Sequence, residues 1–239
     1  MNKISVIQGL IDAKKARLYL EIGVASGDCF LKIKALNKIA VDPAFTIPFK
    51  RKLKRRVQRL KSVLKKDLRT NEYFYKMPSD EFFESQSSEL LKNGVDVAFV
   101  DGLHTYEQSL RDVENCLKFL RDDGVIVVHD CNPVSSAAAY PALSYEEARE
   151  ANPEGWTGEW SGNVWKTIPH LRATREDLSI FVLDCDCGLG IIRKKRAPLK
   201  LDYDTKKIQE MHYGELAEKR EHLLNLKPPS YFSSFIKAT

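Results

Sequence analysis

The sequence predicts an α/β protein built on a mainly parallel sheet, and three observations predict it. Apolar runs of strand length alternate with helix-period patterns along most of the chain. A strand, a glycine turn and a second strand follow one another between Leu18 and Asp42. Polar residues gather at the carboxyl ends of the expected strands, where open α/β sheets bind their ligands. The 239 residues, 43% of them hydrophobic, suffice for one substantial core. Residues 1–199 are expected to form one domain and residues 200–239 a helical tail.

The first unit is LYLEIGVASGDCFLKIKALNKIAVD, residues 18–42. Strand 18–22 carries Glu21, and Gly23 and Gly27 allow the backbone a tight turn. A helix is expected next, presenting free N–H groups, and strand 38–42 closes on Asp42, a carboxylate suited to two ribose hydroxyls. Such a unit points to a ligand containing a nucleoside. A dinucleotide fingerprint from Gly23 would place glycine two and five residues on, where Ala25 and Asp28 stand, which weakens NAD. The pattern acid-Ile-Gly-Val-Ala-Ser-Gly instead resembles the first motif of class I S-adenosylmethionine-dependent methyltransferases. The resemblance implies that Glu21, Gly23, Ser26, Gly27 and Asp42 contact this cofactor, with Glu21 near its cationic amino acid and sulfonium.

Strand 72–75 runs into the turn Met77-Pro78-Ser79-Asp80, which sets Ser79 and Asp80 near an adenine. Strand 95–101 ends in Asp101-Gly102-Leu103-His104. Tyr106, Leu110, Val113, Leu117 and Leu120 then repeat with helical spacing, and Gly124 restarts the chain as strand 124–130. That strand ends in His129-Asp130-Cys131-Asn132. Strands 179–184 and 188–193, joined by the Cys185–Gly188 turn, read as an antiparallel hairpin at one sheet edge.

Two neighbouring strand ends thus offer Asp101, Asp130 and Asn132, an oxygen set that suits Mg²⁺ better than zinc. His104 lies near a helix N-terminus, where the dipole disfavours its cation, and is the candidate general base. His129 can point away, because successive strand side chains alternate, and it reads as structural or as support behind the site. Cys185 and Cys187 are two ligands at most and do not make a metal site.

The run VDGLHTYEQSLRDVENCLKFLRDDGVIVVHDCNP, with GNVWK and DCGLGIIRK, is similar to the methyltransferase-24 group of class I enzymes, related to macrocin-type sugar O-methyltransferases. The similarity spans roughly residues 18–194. It implies a Rossmann-like, mainly parallel seven-stranded sheet with an antiparallel last strand and helices on both faces. It also implies a divalent metal on Asp101 and Asp130, Asp101 near the cofactor, and His104 as base. One departure is Cys131, which stands where a second acid or amide is usual, with Asn132 one position later.

Residues 131–163 are too long for a simple connection and read as a lid, whose Trp156 and Trp160 are candidate acceptor contacts. Trp165 reads as core. The formal charge of +5 is local: residues 50–66 hold ten Lys or Arg and no acid, and the remaining 28 basic and 33 acidic residues give −5. Within the insert 49–67, Phe49, Leu53, Val57, Leu60 and Leu64 mark an amphipathic helix, a candidate for an anionic acceptor or peripheral membrane contact rather than nucleic acid. Five cysteines without CxxC spacing and no long apolar run suggest reduced thiols in a cytoplasm. The reading allows a homodimer.

Together these expectations describe an S-adenosylmethionine-dependent transferase that methylates a hydroxyl on a small acceptor such as a sugar or glycan intermediate. The rivals are an NAD-linked oxidoreductase and a non-catalytic nucleotide-binding or membrane-surface protein.

Overall fold

Asn2 and Ser5 close a reciprocal capping box that starts helix α1 (Lys3–Lys14), whose Val6, Ile7, Leu10 and Ile11 are buried at helical spacing. The computed structural model describes residues 1–48, 70–197 and 199–238, and the basic segment expected as a helix at 49–67 lies outside them. Strands β1 (Leu18–Ile22), β2 (Asn37–Val41) and β3 (Asn71–Tyr75) come next. The short helices α2 (Ser79–Ser85) and α3 (Ser87–Leu90) then lead into β4 (Val95–Val100). Helix α4 (Tyr106–Phe119) runs directly into β5 (Leu120–Val128), and α5 (Tyr145–Ala151) lies in the following loop. A 3₁₀ turn at Val164–Lys166 precedes α6 (Thr167–Thr174), and β6 (Leu178–Leu183) and β7 (Leu189–Lys194) form the hairpin. The C-terminal segment adds α7 (Thr205–Glu210), α8 (Tyr213–Leu224), β8 (Leu226–Lys227) and α9 (Tyr231–Lys237).

The sheet order is β3-β2-β1-β4-β5-β7-β6-β8, with β7 antiparallel to both β5 and β6 and the other pairs parallel. The strands expected from sequence are present, and the antiparallel insertion is where the resemblance put it. An eighth strand was not foreseen: Leu226 and Lys227 pair with Val182 and Leu183, so the hairpin does not end the sheet. A two-residue strand is too short to leave a periodic signal.

Strand alternation sends Leu20, Ile22, Ala98, Val100, Ile126 and Val128 to a core shared with α2, α4, α6 and α8. Tyr19, Val97, Phe99, Val125 and Val127 face the opposite core, under α1 and α9. Among the described residues, no helix is long and apolar enough to cross a membrane.

The helix expected after Gly27 is absent, and turns occupy residues 28–32. Lys38, buried on β2, holds these turns: its ammonium donates to Phe30 O at 2.7 Å and Ile33 O at 2.9 Å. The ammonium also pairs with Glu72 at 3.0 Å and sits over the Phe30 ring. Lys38→Met keeps the stem but removes the buried cation from its partners, and the expected loss of stability is about 3 kcal/mol. Urea unfolding of the variant against the parent reads it directly, and an unchanged midpoint would refute the assignment.

Candidate active site

Gly23 must be glycine. Its φ is +81°, and a Cβ there would lie 2.0 Å from the carbonyl oxygen of Asp101, so β1 and β4 leave no room for a side chain. Ala25 (φ 43°) and Gly27 (φ 74°) continue the left-handed turn. Asp42 pins it: one carboxylate oxygen accepts the N–H groups of Val24 and Ala25, both at 2.8 Å, and the other accepts that of Ala44 at 2.6 Å. The carboxylate expected to hold two ribose hydroxyls is therefore already engaged by backbone. With about four lone-pair positions, it keeps room for one further donor. Ser26 donates to Asp28 on the surface of the same turn.

Glu21 is not an exposed anion. It shares the α1 face of β1 with Tyr19, whose hydroxyl donates to it, and the Cys29 thiol lies nearby. Burial pushes its carboxyl up to about 8, which favours the neutral acid at pH 7. Ser79 and Asp80 are gathered onto α4, where Gln108 Nε2 donates to Ser79 Oγ at 3.2 Å and to Asp80 at 3.3 Å. The same amide reaches the buried Asp112, whose carboxyl burial raises to about 6.

The ends of β4 and β5 carry the densest charge. Asp101, His104 and Asp130 each turn one ligand atom inward, all within 4.8 Å of one another. His104 Nε2 stands 3.3 Å from Asp130 and 3.7 Å from Asp101. The lid supplies the other half of this arrangement. Trp160 O takes a hydrogen bond from His104 Nδ1 at 3.0 Å, the Trp160 ring stacks on the imidazole with centroids 5.1 Å apart, and Ser161 Oγ donates to Asp130 at 2.7 Å. Gly162, at φ +56°, lets the lid return so closely that a Cβ would lie 2.1 Å from His104 O, and the Asn163 N–H bonds that same oxygen.

Two charged residues, Lys3 and Asp186, escaped the sequence reading, and His129, read as structural or as support for the site, comes closer than strand alternation suggested. It places Nδ1 2.8 Å from Asp130 and 3.1 Å from Asp101. His129 keeps the alternation of Val125 and Val127 on the α1 face, against Phe99, and the chain reverses one residue later, at Asp130 with φ +60°. Lys3, from the first turn of α1, sets its ammonium 2.8 Å from Asp101, and its backbone N–H bonds Asp186 at 2.5 Å. Asp186 also lies 4.0 Å from His129 Nε2. Nothing local in the sequence links Lys3 or Asp186 to Asp101. Only the tertiary fold does.

These contacts polarise one another. Burial opposes the charge on His129, but the Asp101 carboxylate, the bond to Asp130 and the nearby Asp186 push it up to about 12. Asp101, although burial opposes its ionisation, is held well below the usual carboxylate range by His129, His104 and Lys3. His104 is raised, against the expectation that the helix dipole disfavours its cation: burial lowers it, and the Asp101 bond with the charges of Asp130 and Asp101 outweighs that.

Asn132, expected among the metal ligands, donates to Asp184 at 3.0 Å and accepts from Arg220 of α8. Both of its polar atoms are thus committed to the base of the lid, where Arg220 also bonds Pro133 O at 2.8 Å. Cys131 is wholly buried against Gly190 and offers no ligand. Trp156 packs on Tyr145, with centroids 6.0 Å apart, and Trp165 is core.

A glycine turn follows β1, an acid follows β2, and an acid-histidine cluster lies past β4 and β5, all at the carboxyl ends of parallel strands. Residues 20–131 match the family model Methyltransf_24, described as a methyltransferase domain. Among solved structures it resembles an O-methyltransferase from Bacillus cereus in complex with SAH (15% identity, 81% of this chain and 82% of that one, TM-score 0.48). It also resembles the SAH-bound methyltransferase PaMTH1 of Podospora anserina (17%, 82% and 80%, TM-score 0.46). A third is the O-methyltransferase TomG from Streptomyces achromogenes in complex with SAM (13%, 80% and 78%, TM-score 0.44). Comparison with curated proteins returns no match.

Proposed function

We propose that this chain transfers the methyl group of S-adenosylmethionine to a hydroxyl of a small acceptor, with His104 as the general base. The observation that carries the reading is the fixed imidazole. A carbonyl can only accept, so Trp160 O holds the Nδ1 proton in place, and Nε2 is the atom left to take a proton in the crevice between Asp101 and Asp130. The Trp160 ring locks the imidazole plane, so proton transfer needs no rotation of the base.

Two carboxylates and an imidazole converging within 4.8 Å are a donor set that fits a hard divalent cation such as Mg²⁺. Asp101 and Asp130 would hold it, and when bound it would supply Lewis acidity that lowers the hydroxyl's pKa. A single Nε2 lone pair cannot both ligate and accept a proton, and we assign it to the proton. A sugar or glycan intermediate as acceptor rests on the sequence resemblance. Trp160, which walls the crevice, is the aromatic surface suited to an acceptor face.

The cofactor belongs on the turn 23–27, whose left-handed backbone leaves the crevice free of side chains at Gly23. Asp42 would give its remaining acceptor position to a ribose hydroxyl, and Ser79 and Asp80 would lie near the adenine. Asp42→Ala is expected to weaken S-adenosylhomocysteine binding by about 1.5 to 3 kcal/mol, through the lost charge-assisted bond and the loosened turn. Calorimetry tests it. Absence of binding by the parent protein, or unchanged affinity in a folded variant, would overturn the cofactor site.

A further inference from the structure

Asp101 is occupied from both sides. One of its oxygens faces His129 at 3.1 Å and His104 at 3.7 Å, and the other takes the Lys3 ammonium at 2.8 Å. The two full cations here are not equally fixed. His129 is carried on the end of β5, wedged between Asp101 and Asp130, and its side chain is only 11% exposed. Lys3 reaches the site on a flexible four-carbon stem and is 26% exposed. Its helix is anchored without that ammonium: the backbone N–H of Lys3 bonds Asp186, the Asn2–Ser5 capping box closes the first turn, and Val6 and Ile7 are fully buried. The side chain can therefore leave for solvent while α1 stays in place.

We propose that Lys3 is a tethered cation that competes with a divalent metal ion for Asp101, holding the carboxylate while the ion is absent and swinging out when it enters. The inference rests on the reading of Asp101 and Asp130 as a metal-binding pair. Removing the ammonium takes away a positive charge that occupies one of the ligand oxygens, so the ion should bind more tightly without it. An arginine at the same place should keep the competition.

The test is Mn²⁺ titration of the full chain, followed by calorimetry and by the paramagnetic resonance of the free ion. Lys3→Met and Lys3→Gln are expected to bind Mn²⁺ at least about fivefold more tightly than the parent, and Lys3→Arg within about twofold of it. In an Asp101→Asn background the gain from Lys3→Met should vanish, which separates competition at one carboxylate from a general change of charge. Parent and variants with equal affinity, or variants that bind more weakly, would overturn the role of Lys3 and leave the metal site standing. No Mn²⁺ bound by the parent or by either charge-free variant would remove the metal site itself, and Lys3 with it. Thermal unfolding of each variant, unchanged from the parent, secures the comparison because α1 keeps its cap and its bond to Asp186.

Discussion

His104→Ala will lower methyl transfer by roughly 10² to 10⁴ while leaving S-adenosylhomocysteine affinity near that of the parent. The deficit should shrink at high pH, where the acceptor hydroxyl ionises without help. Cofactor binding is spared because the imidazole contacts Trp160, Asp101 and Asp130 and not the turn 23–27. The measurement is initial-rate release of S-adenosylhomocysteine with an acceptor found by screening hydroxylated sugars. A His104→Ala enzyme that turns over its acceptor at the parent rate would end the role of this residue as base. A parallel loss in Trp160→Phe would not, since the backbone carbonyl that fixes Nδ1 survives that change.

Chelation is the second large effect. If Asp101 and Asp130 hold a divalent ion that acidifies the acceptor, a chelator will abolish turnover and added Mg²⁺ will restore it. Asp130→Ala will then lose activity and metal response together, because it removes a carboxylate that Ser161 bonds at one oxygen and His129 and His104 face at the other. Full activity after exhaustive chelation would dismiss the ion and leave His104 untouched. The two experiments thus divide the mechanism between its acid and its base.

How much of this could be read in advance differs by residue. Gly23, Asp42, Asp101, His104 and Asp130 were legible because each stands at the carboxyl end of a strand, a place that periodicity alone locates. The partners that give them their charge states were not. Lys3 and Asp186 come from chain segments far apart in sequence, and no local pattern encodes an ion pair across such a separation. His129 reads from sequence as structural or as support for the site, and its contacts with Asp101 and Asp130 appear only once β4 and β5 are paired. The helix expected after Gly27 is replaced by turns whose carbonyls at Phe30 and Ile33 bond Lys38 from β2, a tertiary contact that no local pattern encodes. For Glu21, only the packed structure reveals that Tyr19 and Cys29 enclose it.

The packing of α1 on α9 also sets a sequence of events during synthesis. A Cβ on Gly9 would lie 3.2 Å from the Phe232 ring and 3.3 Å from Ile236, so α1 is seated against residues made more than two hundred positions later. At ribosomal rates of about 5 to 20 residues per second, α1 waits roughly 11 to 45 s for that brace. Throughout that interval the helix that carries Lys3 lacks one wall of its berth, while every strand bearing Asp101, His104 and Asp130 has already left the ribosome before α9 does. Both carboxylates and the histidine are thus synthesised before the brace behind the helix of Lys3 exists.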